Sequence, residues 1–494
     1  MKTAHVLSGF GHLSARSFAG FTTLLWMALV WPSKAAEFEY STINGAITIT
    51  RYTGYGGVVM IPDRIAGLPV TRIDHGAFYS STNVTGVIIP DSVTSIGDGA
   101  FRQCTGLRSV AIPDSVTLIQ ENAFSQCYGL TNVTIGNGVT YIATYAFYYC
   151  ASLTHVAIPD IVTSLGTVAF WRCTNLVSVL IGKGVASIGI GAFYQCTSLG
   201  TITVDALNSR YSSRDGVLFN KDQTELIQYP LGKTAGDYTI PNTAVRIRDY
   251  AFSLCSILTN VTISDGVTAI GLGAFYHCNS LEKVTIGHSV ITIGEEAFYR
   301  CDRLTSVTIP NSVTTIHDSA FRFCNGLTNV TIGNAVTTIG VNAFQGCSTL
   351  TSVTIPASVN FIAEWAFGSC PGVTGFYFQG NAPIVGGGVF YHDTNATVYY
   401  LPGSTGWETT LDDRPTAFWW LPKPVILNAG VQANAFGFTV SWATNVDVVV
   451  EATADLFNPA WSPVGIQTLT NGWSRFSDLE WTNHPARFYR LSAL

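Results

Sequence analysis

Charge is scarce in this chain. Only 11% of its 494 residues are Asp, Glu, Lys or Arg, while 47% are hydrophobic. That composition excludes a solvated, disordered polymer. No basic patch or arginine-rich run is present, so nucleic acid is not an expected partner. Phosphate-binding and dinucleotide motifs are also missing. Gly232-Lys-Thr234 has Ile227 where a phosphate loop needs glycine, and the recurring Gly-x-Gly-Ala-Phe (Gly97, Gly189, Gly271) lacks its third glycine. There is no Gly-x-Ser-x-Gly elbow and no His-Glu-x-x-His. The nine histidines are scattered, and no Cys/His set has metal-ligand spacing. Asn220, Asp222 and Glu225 read as a polar turn rather than a calcium loop. The expectation is a non-catalytic protein without cofactor or metal.

What the chain has instead is one unit many times over. Leu304-Thr-Ser-Val-Thr-Ile-Pro-Asn-Ser-Val-Thr-Thr-Ile-His-Asp-Ser-Ala-Phe-Arg-Phe-Cys324 shows its form. The Phe of the Ala-Phe pair stands at 78, 101, 124, 147, 170 and 193, then at 252, 275, 298, 321, 344 and 367. Every step is 23 residues except 193 to 252, which is 59. A fixed period in this range means a solenoid. Val307 and Ile309 alternate with Thr308, so the first two point inward and Thr outward. Pro310 ends the strand because it has no N–H to give; other coils use Gly there (Gly136, Gly182, Gly287, Gly333). Val313, Ile316, Ala320, Phe321 and Cys324 return to the core, the last three at helical spacing. One coil cannot bury these side chains alone, but stacked coils can, at about 4.8 Å per strand.

Eleven cysteines would suggest disulfides in a secreted protein, yet their register argues otherwise. Cys104, Cys127, Cys150, Cys173, Cys196, Cys255, Cys278, Cys301, Cys324, Cys347 and Cys370 all stand three residues after a repeat Phe. Stacked side chains have parallel Cβ vectors, which is poor geometry for a disulfide. They are expected to form a buried structural ladder of small apolar side chains.

The repeat resembles the BspA-like leucine-rich repeats of bacterial secreted and surface proteins. Asp215-Gly-Val-Leu-Phe219 through Gln228-Tyr-Pro230 is similar to a hairpin that interrupts many of that family. Ile47-Thr-Ile-Thr50, Ile61-Pro62 and Leu68-Pro69-Val70 are similar to the segment that leads into its repeats. The resemblance implies a β-rich leucine-rich-repeat solenoid of about twelve coils over residues 38–424. A small all-β, sandwich-like domain should follow it.

The expected layout is then as follows. Residues 1–36 read as a signal peptide, with Phe18 to Trp31 as its apolar stretch and Ser33-Lys-Ala-Ala36 for cleavage. Fourteen apolar residues are short for a membrane span, and no later segment is a candidate. Residues 37–77 should cap the first coil. The first block of leucine-rich repeats runs over 72–204, the hairpin insert over 205–237, and the second block over 238–370. Residues 371–424 lose the period and should form a C-terminal cap. Residues 425–494 alternate at strand period and suggest the small β-sandwich.

Such a chain is expected to bind an extracellular protein or cell-surface ligand and to mediate interaction or adhesion. Glycan binding and a structural surface-layer role are the other classes. The candidate site is the residue after each repeat Phe, expected to face solvent. It is aromatic at Tyr148, Trp171 and Tyr194 in consecutive coils, and again at Tyr276 and Tyr299. Tyr and Trp dominate binding hot spots.

Overall fold

The computed structural model describes residues 37–419, 423–432, 435–457 and 459–493. The segment read as a signal peptide lies outside them. Short 3-10 turns aside, the described residues contain strands and turns and no helix.

Each coil carries two strands. In the coil around Phe321 they are Ser306–Thr308 and Thr315–Ile316. Both pair in parallel with the matching strands of the neighbouring coils, in a register offset of 23 residues. Val307 and Ile309 are buried and Thr308 is exposed, as the two-residue period requires. A third ladder runs through the turn that carries the ring. Phe298 N donates to Ala320 O at 2.8 Å, and Phe321 N to Ala343 O at 2.8 Å. Ala320, Phe321 and Cys324 reach the core through successive tight turns rather than a helical one. Residues two before and two after the ring take left-handed backbone, here Ser319 (φ 55) and Phe323 (φ 58).

The rings form a column through the core. From Phe252 to Phe367 neighbouring centroids lie 4.7 to 5.3 Å apart, with interplanar angles of 14° or less. Three further aromatics belong to the columns. Tyr52 stacks on Phe78 at 5.0 Å, Tyr229 stacks on Phe252 at 4.9 Å, and Phe390 lies beyond Phe367 at 6.4 Å. The solenoid therefore has about fifteen turns where the Ala-Phe pair marks twelve. The period does not stop at Cys370. Gly375–Phe378 and Thr397–Tyr400 continue the long-strand ladder in parallel, and Ile384–Val385 continues the short one.

The insert divides the buried side chains into two cores. Its strands Val217–Asn220 and Glu225–Gln228 form the expected antiparallel hairpin. Alternation along them serves both sides: Leu218 and Ile227 join the first core, and Val217, Phe219, Leu226 and Tyr229 the second. The turn between them satisfies itself. Glu225 N donates to Asn220 Oδ1, and Thr224 Oγ1 donates to Asp222 Oδ1.

At the C-terminus, two three-stranded antiparallel sheets face each other. One holds Val425–Gln432, Ala435–Ser441 and Trp473–Asp478; the other holds Val446–Thr453, Ser462–Leu469 and Phe488–Ala493. Phe438, Val440, Val448, Val450, Leu469 and Phe476 are buried between them.

Candidate functional site

The eleven cysteines are free thiols, and all are buried. Ten of them donate Sγ–H to the carbonyl of the ring residue one coil back, as Cys301 does to Phe275 O at 3.3 Å. Cys255, the first after the insert, makes no such bond among the described residues. Burial pushes the Cys104 and Cys324 thiols up to about 12. Thiolate is the reactive form, and burial disfavours it at these two positions.

The aromatic row sits on the outer side of the ring-bearing turn. Tyr148 and Trp171 meet edge to face at 5.5 Å, and Trp171 and Tyr194 do so at 5.9 Å. Beyond the insert Tyr276 and Tyr299 stack at 5.0 Å, and Phe323 continues from Tyr299 at 5.8 Å. The five residues expected to face solvent, Tyr148, Trp171, Tyr194, Tyr276 and Tyr299, are half-buried, while Tyr79, the aromatic after Phe78, is open to solvent. Neighbouring rings shield one another because one coil's spacing is less than a ring's width. Trp171 is also pinned, since Nε1 donates to Gln195 Oε1 at 3.1 Å. The row is thus a fixed, ridged aromatic surface.

The insert does not end the row. Tyr194 meets Tyr250 edge to face at 6.2 Å, and its hydroxyl lies 3.1 Å from Ser253 Oγ. Ser253 fills in its own coil the slot that Tyr194 fills in the coil before the hairpin. Tyr250 holds the left-handed position two before the ring (φ 59) and was not a candidate from sequence. Beneath Tyr194 and Tyr250, where hairpin and coils meet, is a cavity of about 300 Å³. Ile190, Phe193 and Ile227 give it apolar walls, and Glu225, Arg246, Arg248 and Asp249 give it charge. Arg246 bridges Glu225 at 3.8 Å and Asp249 at 3.6 Å. No group of His, Cys, Asp or Glu among the described residues is arranged to hold a metal ion.

Parallel ladders on two sides of a flattened coil, a turn carrying an inward ring on the third, and a 23-residue rise define a leucine-rich-repeat solenoid. The model of the BspA type leucine rich repeat region matches in six copies over residues 71–206, 234–347 and 314–406, and the chain belongs to that family. Solved structures agree. A leucine-rich repeat protein from Eubacterium ventriosum is 27% identical, with 75% of this chain and 94% of that one covered at a TM-score of 0.59. A leucine rich cell surface protein from Faecalibacterium prausnitzii is 30% identical, with 70% and 94% covered at 0.51. A leucine-rich repeat protein from Bacteroides ovatus is 25% identical, with 74% and 93% covered at 0.55. No curated protein matches the chain. Among the described residues, no helix is long and apolar enough to cross a membrane.

Proposed function

We propose that this is a secreted or surface-exposed protein that binds an extracellular protein partner and does not catalyse a reaction. The observation that carries the reading is the aromatic row. Tyr148, Trp171, Tyr194 and Tyr250 are in continuous ring contact over four coils, and Trp171 is held by Gln195. Rigid aromatic side chains lose little entropy on binding and offer large amphipathic contact area. The N-terminal segment read as a signal and the surface description of the Faecalibacterium relative support the location.

The test is binding to a panel of matrix and cell-surface proteins beside a glycan array. Because the rings are half-buried, changing Tyr148, Trp171 and Tyr194 together to Ser would also weaken the fold, each edge-to-face contact giving about 1 kcal/mol. Trp171→Ala is the cleaner variant. It should weaken protein binding at least about tenfold, as hot-spot truncation does, with the thermal transition still cooperative. Unchanged affinity would make the row structural. Selective binding to the array would move the reading to glycans.

A further inference from the structure

In the regular coils, two amides of the ring-bearing turn donate to the next coil. Val168 N donates to Ile190 O at 3.0 Å and Phe170 N to Ala192 O at 2.8 Å. In the coil before the insert, the same two amides belong to Gly191 and Phe193. They find no acceptor among the described residues. The reason is the hairpin. Gln228, one residue before Tyr229, holds the slot whose carbonyl Phe193 would need, but it pairs with Leu218 across the hairpin instead. Gly191 and Phe193 both line the 300 Å³ cavity. Arg248 lines it too, and its guanidinium has neither an ion-pair nor a hydrogen-bond partner among the described residues.

The last ring-bearing coil shows what such a pair of amides accepts. There they are Gly388 and Phe390, and no further repeat coil follows. Gly388 N donates to Asp412 Oδ1 at 3.2 Å and Phe390 N to Asp412 Oδ2 at 3.1 Å. One carboxylate takes both amides. The backbone matches, since Gly388 (φ 67) and Gly191 (φ 66) share the left-handed position.

We infer that the cavity between the hairpin and the coils is a carboxylate-binding site, and that its ligand is an Asp or Glu side chain of a bound polypeptide. Gly191 N and Phe193 N would take the two carboxylate oxygens as Gly388 N and Phe390 N take those of Asp412. Arg248 would supply the countercharge, Arg246 being already paired with Glu225 and Asp249. A side chain fits better than a small inorganic anion because its methylene stem can lie against Ile190, Phe193 and Ile227 while its two oxygens meet the amides, whereas a free ion has no apolar part to place there. Tyr194 and Tyr250 line the cavity and belong to the aromatic row, so a partner lying along the row passes over it. The inference rests on the partner-binding reading only for the source of the carboxylate.

The test is an amide titration of the full-length, 15N-labelled protein with acetyl-Gly-Asp-Gly-amide. Acetyl-Gly-Asn-Gly-amide is the neutral control and methyl glucuronide the sugar acid. The Asp peptide should shift the Gly191 and Phe193 amides in a saturable way. Gly388 and Phe390, already occupied, should stay still and report an intact fold. Arg248→Gln should weaken the response about tenfold, the value of a charge-assisted bond. No shift at Gly191 and Phe193, an equal shift with the Asn peptide, or an unaffected Arg248→Gln would overturn the site. A response to the glucuronide alone would overturn its peptide source. If Trp171→Ala abolishes partner binding while the titration is unchanged, the row and the cavity are separate sites and this one stands.

Discussion

Between Phe252 and Phe367 every coil gives the next the same three things: a parallel ring, a paired short strand and a filled cysteine slot. Across the insert none of the three is delivered in that form. Phe193 and Tyr229 fall in different cores, the hairpin strand takes over the pairing, and Cys255 does not make the Sγ–H bond its equivalents make among the described residues. The hairpin compensates with apolar side chains on both faces, and Gln228 Nε2 reaches Ala251 O at 3.3 Å. Burial is conserved and backbone satisfaction is not. Regularity leaves a solenoid interior with nothing to offer a ligand; interrupting it exposes amides and a guanidinium at one defined place.

The contrast is broken most severely by putting a charge into the regular stack. Cys301 is fully buried and its Sγ–H bonds to Phe275 O. Cys301→Asp would place a carboxyl opposite a carbonyl, with the Cys278 amide already bonded to Phe275 O. The expected loss is about 3–5 kcal/mol, the cost of an uncompensated buried charge. A urea midpoint within error of the parent would show that the stack yields to charge. Cys301→Ala should cost far less, because only a small cavity is left.

The end of the solenoid tolerates such a group. Asp393 stands in the cysteine slot after Phe390 and is fully buried. Burial raises its pKa to about 7, against the opposing pull of the Cys370 amide, which donates to Oδ1 at 2.6 Å, and of Arg414. A carboxyl with a folded pKa above its unfolded value binds protons preferentially in the folded state. Its contribution is therefore complete below about pH 4 and is lost as pH rises through 7. The loss is on the order of 4 kcal/mol. Asp393→Asn keeps the acceptor for Cys370 N and removes the titration. Hydrogen exchange of the Phe390 coil should slow at pH 5 relative to pH 8 in the parent, after correction for the intrinsic rate. In Asp393→Asn it should not. Equal pH dependence in both proteins would refute the assignment.

Asp393 also shows why part of the molecule was legible and part was not. Stacking demands the same residue in the same slot, so twelve rings and eleven thiols could be read by counting. Tyr52, Tyr229 and Phe390 escaped because the slots around them changed: Arg51, Gln228 and Val389 replace Ala, and Tyr55, Gly232 and Asp393 replace Cys. The aromatic row was visible as residue types, but its half-burial was not, since that depends on how each ring leans on the next. The amides of Gly191 and Phe193 left no trace in the sequence. Every coil has those two amides, and only the local loss of the next coil's carbonyls sets them apart. Asp412 bonds to residues 22 and 24 positions away, a spacing that suggests nothing until the last coil is seen to be bare.

The smallest predicted effect concerns the Phe170 coil, one coil before the one that meets the insert. The position two before each repeat Phe, and before Phe390, has left-handed backbone, and Gly fills it at Gly76, Gly99, Gly191, Gly273 and Gly388. Val168 holds the same position with φ 50. A β-branched residue there is a conformational outlier, at a cost of about 1–2 kcal/mol. Val168→Gly removes that strain. Against it stand the larger backbone entropy glycine loses on folding, about 0.5–1 kcal/mol, and the packing of a half-buried side chain. The net gain should be small, about 0.5 kcal/mol, and visible as a slightly higher urea midpoint with an unchanged slope. A lower midpoint would mean that Val168 is kept for its packing against the Gly191 turn, where its Cγ1 would lie 3.3 Å from a Cβ built on Gly191. In that case Val168→Gly should also loosen the Gly191 turn, and the amide titration would respond to it.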